Sequence, residues 1–252
     1  MAERSLEWRI EDTCLRAWPA LRTVEQGDWL ARFGDGLTRR ANSANPRRGR
    51  LTDLDADIVA CERLYLARGM PPVFRIPSLV EGRADTRLNL LGYGVEGGSL
   101  IQFAAIEDVA SEAGAKVELA PDPDPSWLAA QGLLQGRTAK QDQVYARIVG
   151  SIAVPAMFAA LEVDGGTVSA AYAALHDDLL CYESVVTDVR HRGRGHARAV
   201  LMALTDWGRQ RGARGVCLQV EATNASALNL YRGLGMTNEL YRYHYRRAPQ
   251  QR

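Results

Sequence analysis

The sequence predicts a mixed α/β protein built from two domains. Its 252 residues exceed what one compact domain of ordinary size needs. Segments with the two-residue period of strands alternate along the chain with segments of helical period. Between residues 107 and 126 this periodicity is lost, and the run A-P-D-P-D-P-S alternates proline with aspartate, which disfavours helix and sheet. We therefore place the domain boundary there, with domains at residues 1–120 and 121–252.

Composition limits the classes of function. Hydrophobic residues make up 46% of the chain and charged residues 24%, which is ordinary for a soluble globular protein. Because the formal net charge is only +1, any attraction to an anion must be local. No apolar run approaches the roughly 20 residues of a membrane span, and the charged N-terminus lacks a signal-peptide core. These features predict a cytoplasmic protein. We expect either a monomer or a homodimer.

The cysteines Cys14, Cys61, Cys181 and Cys217 are isolated from one another in the sequence. Each lies among apolar neighbours, and the chain contains no C-x-x-C pair. This distribution is typical of reduced thiols in the core of a cytoplasmic protein. The sequence therefore predicts neither a disulfide framework nor a metal site.

Local patterns in the first domain predict both helices and strands. In order, they are a strand near Trp8 to Ile10, a helix through Cys14 to Leu21, a hairpin of Trp29 to Phe33 with Leu37 to Ala44 across Gly34-Asp35-Gly36, a helix from Asp55 to Arg68, a strand from Val73 to Ile76, a helix from Thr86 to Leu91 and a strand from Ser99 to Ile106. Gly69 and Gly92 follow the last two helices as C-terminal stops.

The second domain has a clearer alternation. Its predicted elements are helices from Trp127 to Leu134 and Gln141 to Ile152, a hairpin of Ala156 to Val163 with Val168 to Leu175, a strand from Leu179 to Thr187, a helix ending at Gly212, a strand from Val216 to Val220, a helix from Ala225 to Leu234 and a strand from Leu240 to Arg246.

A turn rich in arginine and glycine joins the strand that ends at Thr187 to the following helix. Ala197, Val200, Leu201 and Leu204 recur at the spacing of one helix face, so Gly193 and Gly195 precede a helix N-terminus. The first-turn N–H groups of a helix have no partner within it, and glycine lets backbone amides approach a ligand closely. The turn therefore predicts an anion site.

The two halves share a common spacing. Arg68-Gly69 and Arg211-Gly212 each end a helix, Val73 and Val216 each open a strand, and Gly92 and Gly235 each stop a helix, and every pair is 143 residues apart. Three element boundaries at one offset favour a tandem repeat. The offset also aligns Arg192, Gly195, Ala197 and Tyr231 with Gly49, Thr52, Leu54 and Leu88. The first copy would therefore keep the scaffold and lack the anion-binding turn.

Two motifs resemble those of the GNAT superfamily of acyl-CoA-dependent N-acyltransferases. R-G-R-G-H-A at Arg192 to Ala197 fits the signature R/Q-x-x-G-x-G/A, and N-A-S-A-L-N-L-Y-R-G-L-G-M at Asn224 to Met236 resembles N-x-x-A-x-x-L-Y-x-x-x-G-F. A helix and a strand separate the two motifs, as in the family. The resemblance implies two tandem GNAT-like domains, each a mixed, mostly antiparallel sheet flanked by helices. It also implies that residues 1–120 are a degenerate copy and 121–252 the catalytic domain.

The resemblance implies acetyl-CoA as co-substrate. Its pyrophosphate needs amide donors and positive charge, and its pantetheine arm adds to the sheet like a short strand. The residues implied for these contacts are Val185, Val186 and Thr187 for the arm, Arg192, Gly193, Arg194, Gly195, His196, Ala197 and Arg198 for the pyrophosphate, and Asn224 for the arm. The acceptor implied is a primary amine of a small molecule, an amino acid or a protein.

Transfer to an amine requires its neutral form, so a group must accept a proton. Some family members carry a glutamate five residues before the motif asparagine, where this chain has Gln219. Glu183 is the preferred alternative, and Glu221 is a second. By the resemblance, Tyr231 protonates the departing thiolate.

Other interpretations of the turn fit the sequence less well. A Walker loop needs G-K-[ST], which is missing from the sequence, and a dinucleotide fingerprint needs a third glycine where Arg198 stands. Nucleic-acid binding is disfavoured because no aromatic residues interleave with the arginines. A non-catalytic acyl-CoA-binding or regulatory module is the remaining alternative, favoured by Gln219 and by the degenerate first copy.

Overall fold

In a computed structural model of the chain, residues 5–111 and 116–249 are described. Their helices are α1 (Leu6–Ala17), α2 (Leu54–Leu66), α3 (Arg83–Leu90), α4 (Pro125–Gln135), α5 (Ala139–Val149), α6 (His196–Gln210) and α7 (Ala225–Gly233). Their strands are β1 (Arg22–Gln26), β2 (Trp29–Phe33), β3 (Ala44–Pro46), β4 (Val73–Pro77), β5 (Gly94–Ala105), β6 (Glu118–Ala120), β7 (Ala156–Val163), β8 (Gly166–His176), β9 (Leu179–Thr187), β10 (Gly215–Glu221) and β11 (Asn238–Arg247). The predicted mixed α/β class is confirmed.

The chain forms two compact units that do not follow its two halves. Unit 1 comprises the described parts of 1–19, 101–220 and 224–240, and unit 2 comprises those of 20–100, 221–223 and 241–252. Helix α1 therefore belongs to unit 1, although it lies in the first half of the sequence. The separate roles predicted for residues 1–120 and 121–252 stay a prediction. Across the described residues, no helix is both long enough and apolar enough to span a membrane.

The sheet of unit 1 is mostly antiparallel. Strand β9 pairs in parallel with β10 and antiparallel with β8, and β7 and β6 continue the antiparallel part. Cys181 on β9 contacts Cys14 of α1, whereas the hydroxyl of Tyr182 bonds Thr205 of α6. Because consecutive strand residues point to opposite faces, α1 and α6 cover opposite faces of this sheet.

The strand predicted near Trp8 to Ile10 is wrong, because these residues belong to helix α1. Ile10, Cys14 and Ala17 are buried at the spacing of one helix face, and the helix packs on β8 and β9. The hydroxyl of Tyr172 donates to the carbonyl of Ala17 at 2.7 Å. Arg9 donates to the Asp177 carboxylate at 2.7 Å. These contacts with residues far along the chain stabilise helix where the local pattern favours strand.

The hairpin predicted across Gly34-Asp35-Gly36 is present, but its second strand is shorter than predicted and lies further along the chain. Strand β2 pairs antiparallel with β3, from Trp29 with Pro46 to Ala31 with Ala44, and it also pairs with the preceding strand β1. Of the segment predicted from Leu37 to Ala44, only Ala44 belongs to β3. The side chain of Asn42 accepts hydrogen bonds from the N–H groups of Gly34 and Gly36, at 2.9 and 3.1 Å. These bonds hold residues 34–42 in a closed loop rather than in a strand.

The sheet of unit 2 includes β11, the last strand of the described residues. Strands β1, β2, β3 and β4 lie in this order, β3 and β4 are parallel, and β11 pairs antiparallel with β4. Arg246 on β11 donates to the carboxylate of Asp85 on α3 at 2.7 and 2.9 Å. His244 lies 2.7 Å from the same carboxylate. Hydrogen bonding from Arg246 and then His244 lowers the pKa of Asp85 to about 2, so this carboxylate is ionised at neutral pH.

The offset of 143 residues is present in the backbone as well as in the sequence. At the end of α2 the N–H of Met70 bonds the carbonyl of Tyr65, and at the end of α6 Ala213 bonds Gly208, both at 3.0 Å. The ends of α3 and α7 repeat this, with Tyr93 bonded to Leu88 and Met236 bonded to Tyr231 at 3.0 Å. Each pair of bonds is the same six-to-one cap at equivalent positions, which supports a tandem repeat.

Candidate active site

The candidate site begins where β9 and β10 part. The two strands are paired in parallel from Leu179 with Gly215 to Tyr182 with Leu218. Beyond this point β9 continues to Thr187 and β10 continues to Glu221. The described residues of these two segments form no further pairs with each other. An edge of β9 is therefore available for another extended chain to pair with.

A bulge in β9 lies at the point of divergence. Glu183 faces Tyr172 on β8, but Val186 faces Ala170, so one more residue is accommodated on β9 than on its partner. Ser184, within the bulge, has a φ of 55°, which is unusual for a residue with a side chain. The fully buried Gln131 of α4 donates from Nε2 to the carbonyl of Ser184 at 2.6 Å. Gln131 thus holds the bulge in place.

The end of β9 directs backbone groups to its open edge. The hydroxyl of Ser169 on β8 donates to the carbonyl of Val186 at 2.9 Å, so this carbonyl points toward β8. Backbone groups alternate along a strand, so those of Val185 and Thr187 point to the opposite edge. Val185, Val186 and Thr187 are half-buried. This arrangement suits the strand-like pantetheine contacts that the resemblance implies for Val185 and Thr187, whereas the carbonyl of Val186 is directed to β8.

The turn after β9 is fixed by Asp188. Its N–H donates to the carbonyl of Val168 at 2.8 Å, and its carboxylate accepts the N–H of Arg190 at 2.9 Å. The Arg190 guanidinium also pairs with this carboxylate and lowers the pKa of Asp188 well below its usual range. Arg192 and Arg194 are exposed, and Nε of Arg192 lies 3.4 Å from the carbonyl of Thr187. Two exposed guanidinium groups therefore flank the glycine positions.

The glycines of the turn directly precede the exposed N-terminus of α6. Gly195 precedes the helix with a φ of 82°, and a Cβ at Gly193 or Gly195 would have no protein atom within 4 Å. The first bond of the helix runs from the N–H of Ala199 to the carbonyl of Gly195. The amides of the residues before Ala199, namely His196, Ala197 and Arg198, therefore point out of the helix end. Amide donors, the helix dipole and nearby arginines together suit an anion, and the binding of an anion here stays a prediction.

Two predicted cofactor residues also make internal contacts. The guanidinium of Arg198 donates to the carbonyl of Gly233 and so connects α6 with α7. Asn224 caps α7 by accepting the N–H of Ala227 at 3.1 Å, and the residue is exposed. These contacts give both residues structural roles at the start of the helices that flank the site. Their contacts with a cofactor stay predictions.

The two predicted catalytic residues are both buried. Tyr231 on α7 is 6% exposed and Glu183 on β9 is 4% exposed. Burial raises the pKa of Tyr182, and the nearby Tyr231 adds to this shift. Glu183 points to the sheet face opposite Tyr182, toward Cys217, and it precedes the bulge directly. The carboxylate therefore lies where the open edge of β9 begins.

The position in unit 2 that is equivalent to Gly195 is filled by the protein itself. Thr52 stands there, and its N–H and hydroxyl donate to the carboxylate of Asp28 at 2.6 and 2.7 Å. Hydrogen bonding from Thr52 lowers the pKa of Asp28, so the buried carboxylate is ionised. Asp53 and Asp55 line the adjacent cleft. A carboxylate of the protein thus occupies this position, and no local sequence pattern indicates the contact, because the two residues are 24 positions apart.

A family model described as "Probable histone acetyltransferase Rv0428c C-terminal" matches residues 7–246 of the chain. The chain belongs to this family. It is a GNAT-superfamily N-acetyltransferase and thus an acyltransferase, which confirms the resemblance seen in its two motifs. The matched range includes every predicted site residue.

Relatives of this GNAT protein match over most of its length. The uncharacterized N-acetyltransferase YobR of Bacillus subtilis is 24% identical over 243 residues, which are 94% of this chain and 97% of YobR. A GCN5-related N-acetyltransferase from Kribbella flavida has a TM-score of 0.73 at 17% identity, covering 98% of this chain and 97% of its own. A tandem GNAT protein from the clavulanic acid biosynthesis pathway has a TM-score of 0.63 at 12% identity, covering 83% and 76%. The solved structures support the fold, including its tandem form.

Proposed function

We propose that the protein transfers the acetyl group of acetyl-CoA directly to a primary amine of a small molecule, an amino acid or a protein. The observation that carries this proposal is the continuity of the open edge of β9 with the exposed N-terminus of α6. An extended arm paired with Val185 and Thr187 would lead from the turn to the bulge beside Glu183. The pyrophosphate would lie on the amides that follow Gly195.

The proposed chemistry uses one proton acceptor and one proton donor. The neutral amine attacks the thioester carbonyl, the new C–N bond forms, and the tetrahedral intermediate collapses with cleavage of the C–S bond. Glu183 receives the proton that the amine loses, through water because its carboxylate is buried. The hydroxyl of Tyr231 gives a proton to the departing thiolate. Gln219 cannot accept a proton, so it has no part in this scheme.

Turnover with a panel of amines tests the proposal. Acetyl-CoA is mixed with the protein and with amino acids, small polyamines or short peptides, and the release of free thiol is followed together with the mass of the acceptor. We expect thiol release above the hydrolysis background, and a gain of one acetyl group, with at least one amine. The same amines blocked by prior acetylation are the control. Thiol release without an acetylated amine, or acetyl-CoA binding without any product, would contradict the amine as acceptor.

Each chain is expected to bind one acetyl-CoA. The N-terminus of α6 in unit 1 is exposed, whereas in unit 2 the carboxylate of Asp28 already accepts the N–H and the hydroxyl of Thr52 at the equivalent position. Isothermal titration calorimetry should give a stoichiometry of one, with affinity unchanged in Thr52→Ala, which alters only unit 2. Two bound molecules per chain, or a clear loss of affinity in Thr52→Ala, would contradict this prediction.

A further inference from the structure

Three of the four cysteines meet at one point in unit 1. Cys14 lies on α1, Cys181 on β9 and Cys217 on β10, and their sulfur atoms all lie within 4.8 Å of one another. Cys181 and Cys217 are direct partners in the parallel ladder, and Sγ of Cys14 lies 3.8 Å from Sγ of Cys181. All three side chains are buried. The sequence predicted isolated core thiols, and their meeting depends on the docking of α1.

The spacing of the sulfur atoms suits coordination of one metal ion. A metal–sulfur bond of about 2.3 Å places two thiolates about 3.8 Å apart in a tetrahedral site and about 4.0 Å apart in a trigonal one. The 3.8 Å between Cys14 and Cys181 agrees with this. A disulfide needs a sulfur separation of about 2.05 Å, so it would require these elements to move closer together.

We propose that Cys14, Cys181 and Cys217 form a buried binding site for one soft divalent metal ion. Thiolates select soft and borderline-soft ions over hard ones, which excludes magnesium and calcium. Three thiolates with a divalent ion leave one net negative charge, whereas a monovalent ion would leave two. Because buried net charge is costly, the divalent ion is preferred. Each thiol loses its proton to solvent as its bond to the metal forms.

The bound ion would connect α1 to the two strands that open into the active site. Cys181 and Cys217 lie within the paired part of β9 and β10, and Glu183 follows Cys181 by two residues along β9. Because residues 20–100 separate α1 in sequence from the rest of unit 1, a metal bond would stabilise its docking. Cadmium is a suitable probe because thiolate-to-cadmium charge transfer absorbs in the ultraviolet.

Titration of the reduced full-length protein with Cd²⁺ in the absence of oxygen tests the site. We expect the charge-transfer absorption to saturate at one equivalent, and to be lost in Cys14→Ala, Cys181→Ala and Cys217→Ala. The matched control is Cys61→Ala, because Cys61 is also buried but lies in unit 2. This variant should keep the full absorption. No absorption in the wild type, or an equal loss in Cys61→Ala, would overturn the proposal.

A second measurement on the wild type does not depend on the folding of the variants. Alkylation of each cysteine by iodoacetamide is followed by mass spectrometry with and without Cd²⁺. Cd²⁺ at ten times its dissociation constant should slow labelling of Cys14, Cys181 and Cys217 about tenfold and leave Cys61 unchanged. Equal rates with and without the ion, or equal protection of all four cysteines, would overturn the site.

Discussion

Replacing Gly195 by valine is expected to weaken the binding of acetyl-CoA by about 100-fold, which corresponds to about 2.7 kcal/mol. Gly195 has a φ of 82°, and a Cβ there would have no protein atom within 4 Å. The protein therefore has room for the side chain, which would project beside the amides that begin α6. A branched side chain at that point would exclude a phosphate group and strain the turn that orients the amides. Calorimetric titration of acetyl-CoA into the variant gives the change in affinity.

The matched control for this change is Gly212→Val. Gly212 follows the other end of the same helix, also with a φ of 82° and with no protein atom within 4 Å of a Cβ. Valine should thus cost a similar conformational free energy of about 1–3 kcal/mol at either position. We expect Gly212→Val to lower the melting temperature as Gly195→Val does and to leave the affinity for acetyl-CoA unchanged. Equal losses of affinity in the two variants would mean that Gly195 acts through stability and not through the anion site.

Sequence patterns predicted the elements around the site because each signal is local. The strand predicted from Leu179 to Thr187 has the bounds of β9, and α6 begins directly after Gly195, as the glycine turn indicated. Periodicity within one element and the φ preference of glycine do not depend on distant residues. The offset of 143 residues was visible for the same reason, because each helix end carries its own glycine.

Features made by distant residues could not be predicted in this way. Gln131 fixes the bulge at Ser184 from a position 53 residues away, and nothing in the sequence of α4 marks it. Helix α1 is stabilised by Asp177, which lies 168 residues from Arg9. The carboxylate of Asp28 at the N–H of Thr52 likewise depends on tertiary structure. These contacts decide where the strands open and which unit leaves the N-terminus of its helix uncovered, so the geometry of the candidate site is less predictable than its elements.

Replacing Tyr231 by phenylalanine is expected to lower kcat by about 100-fold, the lower end of the range for general acids. The thiolate of CoA is a moderate leaving group, since its conjugate thiol has a pKa of about 8.5 and the thiolate is therefore a weaker base than an amine. Loss of its proton donor should therefore slow the reaction without stopping it. The substitution keeps the buried ring and the backbone bond from Met236 to the Tyr231 carbonyl. The KM for acetyl-CoA should consequently stay within about threefold, and steady-state thiol release gives both constants.

The control variant Tyr182→Phe removes a different buried hydroxyl. It distinguishes an effect on catalysis from an effect on stability. In Tyr182→Phe the lost group bonds the Thr205 hydroxyl and the Leu201 carbonyl on α6, so the variant should lose about 1–3 kcal/mol of stability. We expect its kcat to stay near the wild-type value, because Tyr182 points into the interface with α6. If Tyr182→Phe lowered kcat as much as Tyr231→Phe, the effect would lie in the packing of α6 and α7. If Tyr231→Phe left kcat unchanged, the thiolate would leave without a proton from Tyr231, and the role of Tyr231 would be limited to the core.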